Sequence, residues 1–407
     1  MVCPFDRDKN VAHKLLTAGW RDRGYTREIR GPCDNCPVPD VNHLSGEVAW
    51  LAFALAGVFG AVANRANFCT MGAITDAVLV GDWRRMRMWL LAIAVAIAGA
   101  TWLEGAGTVD LSKSIYTAAK VSWLSHIVGG LLFGFGMTLA SGCGSKTLIR
   151  LGSGNLKSLI VLIVLGISAY MTLKGLFAVW RVNALDGFRF DIATLGASRS
   201  DLPSIVTAMI GSGALVKIGL PLLIAAIFAL WAFGSRDFRA SHEMIVGGVV
   251  IGAVIVGGWY VTGHIGHLAE DPRTLEEAFL ATNSGKPESF SFVAPVASLL
   301  ELLMLWSDQT RIVTFGIAGV LGMLVGSGAM ALATRTFRWE GFASVEDLVN
   351  HIVGGVLMGF GGVTALGCTI GQGLTGMSTL AIGSVIATLS IVAGCVAALK
   401  YQYWRTG

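Results

Sequence analysis

At 407 residues the chain is long enough for several soluble domains, yet 54% of it is apolar, only 14% is charged and its mean hydropathy is +0.66. That composition excludes a soluble globular protein and makes the bilayer the natural solvent. A formal charge of +4 offers no basic face for nucleic acid, and 53 glycines, many of them inside apolar runs, suit close helix contact in a membrane bundle.

Residues 1–46 form a polar tail without the apolar stretch of a signal peptide, so the first span is expected to serve as the insertion signal. The tail carries Cys3 and a Cys33-x-x-Cys36 pair; with no second pair and few histidines nearby, these read as loop cysteines rather than a metal site. A span needs ~20 mainly apolar residues to cross ~30 Å of hydrocarbon. Charged punctuation places such spans near 47–64, 86–104, 121–140, 156–180, 214–234, 243–263, 312–334, 347–365 and 379–400. Apolar segments near 67–80, 143–152, 290–306 and 368–378 are too short to cross. They read as re-entrant helices enclosed by protein, because irregular backbone cannot face lipid. The expected fold is an all-α integral membrane protein of about nine transmembrane helices plus four short re-entrant helices.

An internal repeat organises these elements. HIVGGLLFGFGMTLASGCG at 126–144 matches HIVGGVLMGFGGVTALGCT at 351–369, an offset of 225 residues, and NFC at 67–69 is echoed by SFV at 291–293. The membrane domain, 47–400, then divides into halves 47–180 and 243–400 joined by a linker span at 214–234, with residues 401–407 as a C-terminal tail. A single linking span inverts the second half relative to the first. With the N-terminus outside and the C-terminus in the cytoplasm, the loops bearing Arg84, Arg85 and Arg87, Lys146, Arg150 and Lys157, Arg236 and Arg239, Arg335 and Arg338, and Lys400 and Arg405 all fall inside.

Cysteine marks three of the four short segments: Cys69 in NRANFCTMG, Cys143 in ASGCGSK and Cys368 in ALGCTIGQGLTG; the fourth offers Val293. Broken helices in inverted repeats aim unpaired N–H groups at the centre, an arrangement that selects anions. Gly142, Gly144, Gly367 and Gly371 beside the thiols let backbone approach a ligand. A path for an anion must bind weakly enough to release it, which suits S–H donors and helix dipoles better than a buried cation. The thiols are expected to stay uncharged, since apolar burial favours the neutral form and a thiolate would repel the anion. Lys146 is placed to attract an anion at the inner mouth or only to enforce orientation, and Thr369 and Gln372 are candidate polar liners. His126 and His351 sit about four turns before their own cysteines and read as interfacial hydrogen-bonding residues, with a proton relay as the other reading. Cys395, inside the last span, reads as core filling.

With these motifs in view, the chain resembles the YeeE/YedE family of bacterial membrane proteins, also called the sulphur transport domain family. The likeness runs over about 47–400 and rests on NFCTMGA at 67–73, SGCG at 141–144, GWYVTG at 258–263, FVAP at 292–295, FRWEGF at 337–342 and GFGGVTALGCTIGQGLTG at 359–376, the last being the most specific. What the resemblance implies is uptake of thiosulfate across the bacterial inner (plasma) membrane along three family cysteines matching Cys69, Cys143 and Cys368. It also implies nine spans with four short helices, and a possible cytoplasmic sulfur-relay partner of the TusA type. Some relatives are assigned to selenium compounds or other inorganic sulfur species. The expectation is therefore a non-enzymatic transporter of thiosulfate or a related sulfur oxyanion, without cofactor or metal. A membrane sulfurtransferase that holds a cysteine persulfide and passes sulfur to a soluble partner is the alternative.

Overall fold

Apolar runs between charged or glycine-rich turns fold as helices because only helical backbone satisfies its own polar groups in an apolar surround. The computed structural model describes residues 41–406 except 212, 273, 309, 310 and 343; the tail with Cys3, Cys33 and Cys36 lies outside the described residues. The first half runs α1 (Val41–Arg65), α2 (Thr70–Thr75, continued by a π turn over Asp76–Val80), α3 (Arg84–Gly105), α4 (Trp123–Leu139), α5 (Gly144–Gly152) and α6 (Leu156–Lys174). After α7 (Leu176–Ala184), α8 (Leu202–Ile210), α9 (Ala214–Phe233) and α10 (Arg236–Ala240), the second half opens with α11 (His242–Tyr260), extended by a π turn over Val261–Ile265. It continues through α12 (Val293–Met304), α13 (Phe315–Ala333) and α14 (Val345–Thr364), a short helix over 369–378 containing the π turn Gly371–Gly376, and α15 (Ile382–Thr406). Among the described residues strand structure is confined to two antiparallel pairs of two-residue strands, Lys120–Val121 with Phe190–Asp191 and His267–Leu268 with Ala278–Phe279.

Among the described residues eight helices are long and apolar enough to cross a membrane: α1, α3, α4, α6, α9, α11, α13 and α15, some with their short extensions. The segment expected as a span near 347–365 is a helix of 20 residues, α14, whose first turn carries Glu346 and Asp347 and so dilutes its apolar character. The expected span 156–180 is shorter than its apolar run. Gly175 breaks it with extended backbone (φ −109°, ψ −154°), and α7 starts anew with no buried residue.

Helix starts follow side-chain chemistry. Asn155 Oδ1 accepts the Ser158 N–H at 3.1 Å before α6, and Ser344 Oγ accepts the Asp347 N–H at 3.1 Å before α14. Packing is set by glycine. A Cβ added at Gly326 would lie 1.9 Å from Gly57 O, and one at Gly60 would lie 2.3 Å from Met323 O, so α1 and α13 touch backbone to backbone. The same holds for α4 and α15, where a Cβ at Gly134 would meet Ile391 O at 2.1 Å. Small residues substitute for the hydrophobic drive that lipid-exposed helices lack. Between these contacts lies an aromatic centre in which Phe59 and Phe292 approach to 5.9 Å, and Phe290 and Phe315 to 4.8 Å.

Gly326→Val is expected to lower the detergent-solubilised protein's stability by about 1–3 kcal/mol or more through overpacking. Gly46→Ala, with nothing within 4 Å of the new methyl, should leave the thermal unfolding midpoint in place. Equal midpoints for the two variants would show that the α1–α13 contact is not tight.

Candidate functional site

Three helix breaks share one backbone construction. Asn67, Ser141 and Leu366 are non-glycine residues in the left-handed region, at φ 50°, 56° and 60°. The residue after each donates its N–H five residues back: Phe68 to Ala63 O at 2.9 Å, Gly142 to Met137 O at 2.8 Å, and Gly367 to Gly362 O at 2.8 Å. This closes the preceding helix in the manner of a Schellman turn. Next comes the cysteine, after which a new helix begins. Cys69 (φ −157°, ψ 121°) caps α2, and its Sγ accepts the Gly72 N–H at 3.3 Å. Cys143 (φ −76°, ψ 174°) precedes α5, with its Sγ 3.2 Å from Ser145 Oγ. Cys368 precedes the 369–378 helix; its Sγ accepts the Gly371 N–H at 3.5 Å, and Ser291 Oγ lies 4.0 Å away. Unsatisfied N–H groups of a helix start thus meet sulfur at Cys69 and Cys368.

All three thiols are buried, and Cys143 lies within electrostatic reach of both Cys69 and Cys368. The fourth short helix, α12, starts at the fully buried Val293, whose methyl carbons come within 2.9 Å of where a Cβ on Gly362 would lie and 3.7 Å of where one on Gly144 would lie. Cys395 lies within the same electrostatic reach of Cys69 and Cys143 but starts no helix; it sits inside α15, its Sγ accepting the Thr138 hydroxyl at 3.3 Å.

The flanking candidates divide. Lys146 Nζ donates to Asn67 Oδ1 at 2.7 Å within reach of Cys69 and Cys143, and its stem passes 3.2 Å from where a Cβ on Gly142 would be. Gln372 Nε2 donates to Ala365 O at 2.5 Å while its Oε1 is buried without a partner, as is Thr369 Oγ1. Gln372 therefore braces the break before Cys368. Of the four glycines, Gly371 is the one pressed hardest: a Cβ there would lie 2.7 Å from Ser291 Oγ and 3.0 Å from Ser291 Cβ. At Gly144 the nearest contact would be an ordinary 3.7 Å, and at Gly367 the Gln372 stem would lie at 3.2 Å. Both histidines are buried and hydrogen-bonded. His126 is buried, with Nδ1 3.2 Å from Ala365 O and its ring against Gly383. The fold thereby brings it to the break before Cys368. His351 is also buried, and its Nδ1 lies 2.7 Å from Asp347 O in its own helix.

Two cavities reach these breaks from opposite ends of α6 and α14. One, of about 410 Å³, meets the C-terminal ends of both helices and is lined by Gly367 and Ser291 beside Cys368, and by Tyr116, Lys174, Arg181 and Arg311. The other, of about 440 Å³, meets their N-terminal ends and is lined by Ala140 and Ser141 just before Cys143, and by Arg150, Lys157 and Arg338. Tyr116 and Ser291 are neighbours of Cys368 that the motif reading passed over. Ser291 stood in the faint NFC/SFV echo, at the position matching Asn67, and that echo was the available signal.

A family model described as sulphur transport matches residues 65–397, the span that contains the three buried thiols and both cavities. The chain belongs to the sulphur transport family. Two curated relatives carry the name thiosulfate transporter TsuA. The one from Spirochaeta thermophila is 25% identical over 356 residues, spanning 85% of this chain and 96% of the relative. The other, from Escherichia coli, is 28% identical over 330 residues, spanning 78% of this chain and 84% of the relative. The family membership and the apolar helices make this chain a multi-pass membrane transporter of sulfur compounds.

Gly371→Ala is expected to cut sulfur-anion uptake by about tenfold or more through displacement of Ser291 from Cys368, while Gly144→Ala should stay within about twofold of wild type. Uptake assays on the two variants in vesicles decide this, and equal loss in both would contradict the assigned geometry.

Proposed function

We propose that the chain imports thiosulfate, or a closely related inorganic sulfur anion, by passing it between the neutral thiols of Cys368, Cys143 and Cys69. The observation that carries this reading is the repeated construction: each cysteine follows a closed helix and begins a new one, and Cys143 is within electrostatic reach of the other two. In this reading α14 is the ninth span, the two halves are inverted copies, and the short helices are re-entrant. The chain lies in the bacterial inner membrane with its N-terminus outside. The 410 Å³ cavity is then the outer vestibule and the 440 Å³ cavity the inner one.

An anion entering from outside meets Lys174, Arg181 and Arg311, then the Ser291 hydroxyl and the Cys368 thiol. A sulfur that caps a helix start uses its lone pairs for backbone N–H groups, which leaves its S–H proton to donate to the passenger. Such a bond is weak, and weak successive sites allow release as well as capture. At the inner end Lys146, held by Asn67, draws the anion from Cys143 and Cys69 toward the cytoplasm, where a soluble sulfur-relay protein of the TusA type is the expected recipient. Among the described residues the hydrogen-bond partners of the three thiols are backbone N–H groups and serine hydroxyls, with no histidine or carboxylate to take the thiol proton, and Lys146, within reach of Cys69 and Cys143, has its Nζ bound to Asn67 Oδ1. That favours passage over persulfide chemistry.

Cys143→Ala and Cys368→Ala are each expected to reduce uptake of labelled thiosulfate into proteoliposomes by roughly tenfold, the worth of about one buried donor. Cys69→Ala should behave alike and Cys395→Ala should transport normally. Full uptake by all three path variants would rule the thiol path out, and a stable persulfide on one cysteine after thiosulfate exposure would favour the sulfurtransferase.

A further inference from the structure

The outer cavity contains a carboxylate that the path does not use. Glu288 lies on the segment before α12 and lines the cavity together with Lys174, Arg181, Glu301, Arg311 and Tyr116. Each neighbouring cation is already engaged. Lys174 and Arg311 both bind Glu301, at 2.8 and 3.0 Å, and Arg181 pairs with Asp186 at 3.4 Å. Glu288 differs. Its carboxylate accepts the Asn283 N–H at 3.3 Å, the Ser284 hydroxyl at 3.0 Å and the Ser284 N–H, and among the described residues it has no cationic partner. Lys286, on the same segment, is exposed, and from the π turn after α11 the contact is the hydroxyl of Thr262, which bonds the Glu288 backbone on both sides. Glu288 shares the cavity lining with Ser291 and Gly367, the residues beside Cys368, and Tyr116 on the same lining stands within electrostatic reach of both Glu288 and Cys368.

We propose that Glu288 is a protonatable gate on anion entry: with its carboxyl neutral the vestibule admits a sulfur dianion to Cys368, and with its carboxylate charged the vestibule holds that dianion back. This rests on the thiosulfate reading of the same site. Three cations and two carboxylates line the cavity, so protonating Glu288 raises the lining's net charge from +1 to +2. A cleft of low dielectric magnifies one such unit at the mouth of a path for a doubly charged passenger. Burial pushes the Glu288 carboxyl up to about 7, so the neutral, admitting form dominates below that pH and the repelling form above it. Elsewhere on the lining, burial holds the Tyr116 hydroxyl above its ordinary range, and Glu301 is paired with both Lys174 and Arg311.

The test is the initial rate of labelled thiosulfate uptake by the full chain in proteoliposomes, at equal internal and external pH from about 5.5 to 8.5 so that no gradient contributes. Wild type should slow by roughly fivefold as pH rises through neutrality, and Glu288→Gln, permanently neutral, should keep the acid rate throughout. A Glu288→Gln profile with the wild-type slope overturns the gate, as does a folded Glu288→Gln protein that is slow at every pH. If that variant melts early, Glu288→Asp decides instead. Its lower intrinsic pKa should move the fall in rate to lower pH, and an unmoved fall overturns the gate. Absence of wild-type thiosulfate uptake above protein-free vesicles is a different failure, because it sinks the transport reading itself.

Discussion

A buried helix that begins anew must find acceptors for its first N–H groups, and no water is at hand to supply them. Here sulfur meets that demand at Cys69 and Cys368, where Sγ takes the N–H three residues on. Serine, the commoner cap, would offer a stronger acceptor and a stronger donor; cysteine is larger, softer and weaker in both roles. The left-handed residue two positions ahead of each cysteine is the cost of the construction, of order 1–3 kcal/mol for a non-glycine residue. Three such residues in matching positions show that the break is imposed by its surroundings. The backbone N–H groups of Gly142 and Gly367, each bonded back across a turn, are the local part of that imposition.

The long-range part is glycine packing. Gly129 on α4 would meet the Ala365 N–H at 2.5 Å with any side chain, and Gly354 on α14 would meet Gly136 O at 2.6 Å. Helices locked this closely cannot slide, so the ends of α4 and α14 are held where α5 and the 369–378 helix start. Ala365 O then collects His126 from the first half and Gln372 from the second, which ties the break before Cys368 to both halves.

Much of this was legible in the chain. The short segments after Cys69, Cys143 and Cys368 were visible because glycine and charge interrupt the apolar runs there, and the 225-residue repeat tied two of them together. Gly175 was not legible as a break, because the run LFAVW after it stays as apolar as the run before it. Nor was the burial of His126, since counting turns within one repeat places it far from its own cysteine and says nothing of the other half's. The glycine reading was right in kind and uneven in degree: Gly371 faces Ser291, a residue 80 positions away, and Gly144 faces open contact distance. Contacts of that sequence separation leave no periodic trace. Tyr116, in a loop with no motif, was missed for the same reason.

The difference between the halves bears on how a path of this kind stays narrow. NFC and SFV occupy matching positions, yet one ends in a thiol and the other in Val293. Val293 is fully buried and pushes its methyl groups toward Gly144 and Gly362, so the fourth helix start is filled by hydrocarbon where a fourth donor would otherwise stand. Four thiols around one centre would hold a small anion from all sides, and a site that binds from all sides releases slowly. With Val293 in place of a fourth thiol, the path proposed above would have one dry wall. On the proposed path, that wall confines the anion to a line from Cys368 through Cys143 to Cys69, and the weakness of each thiol contact lets the next one take over.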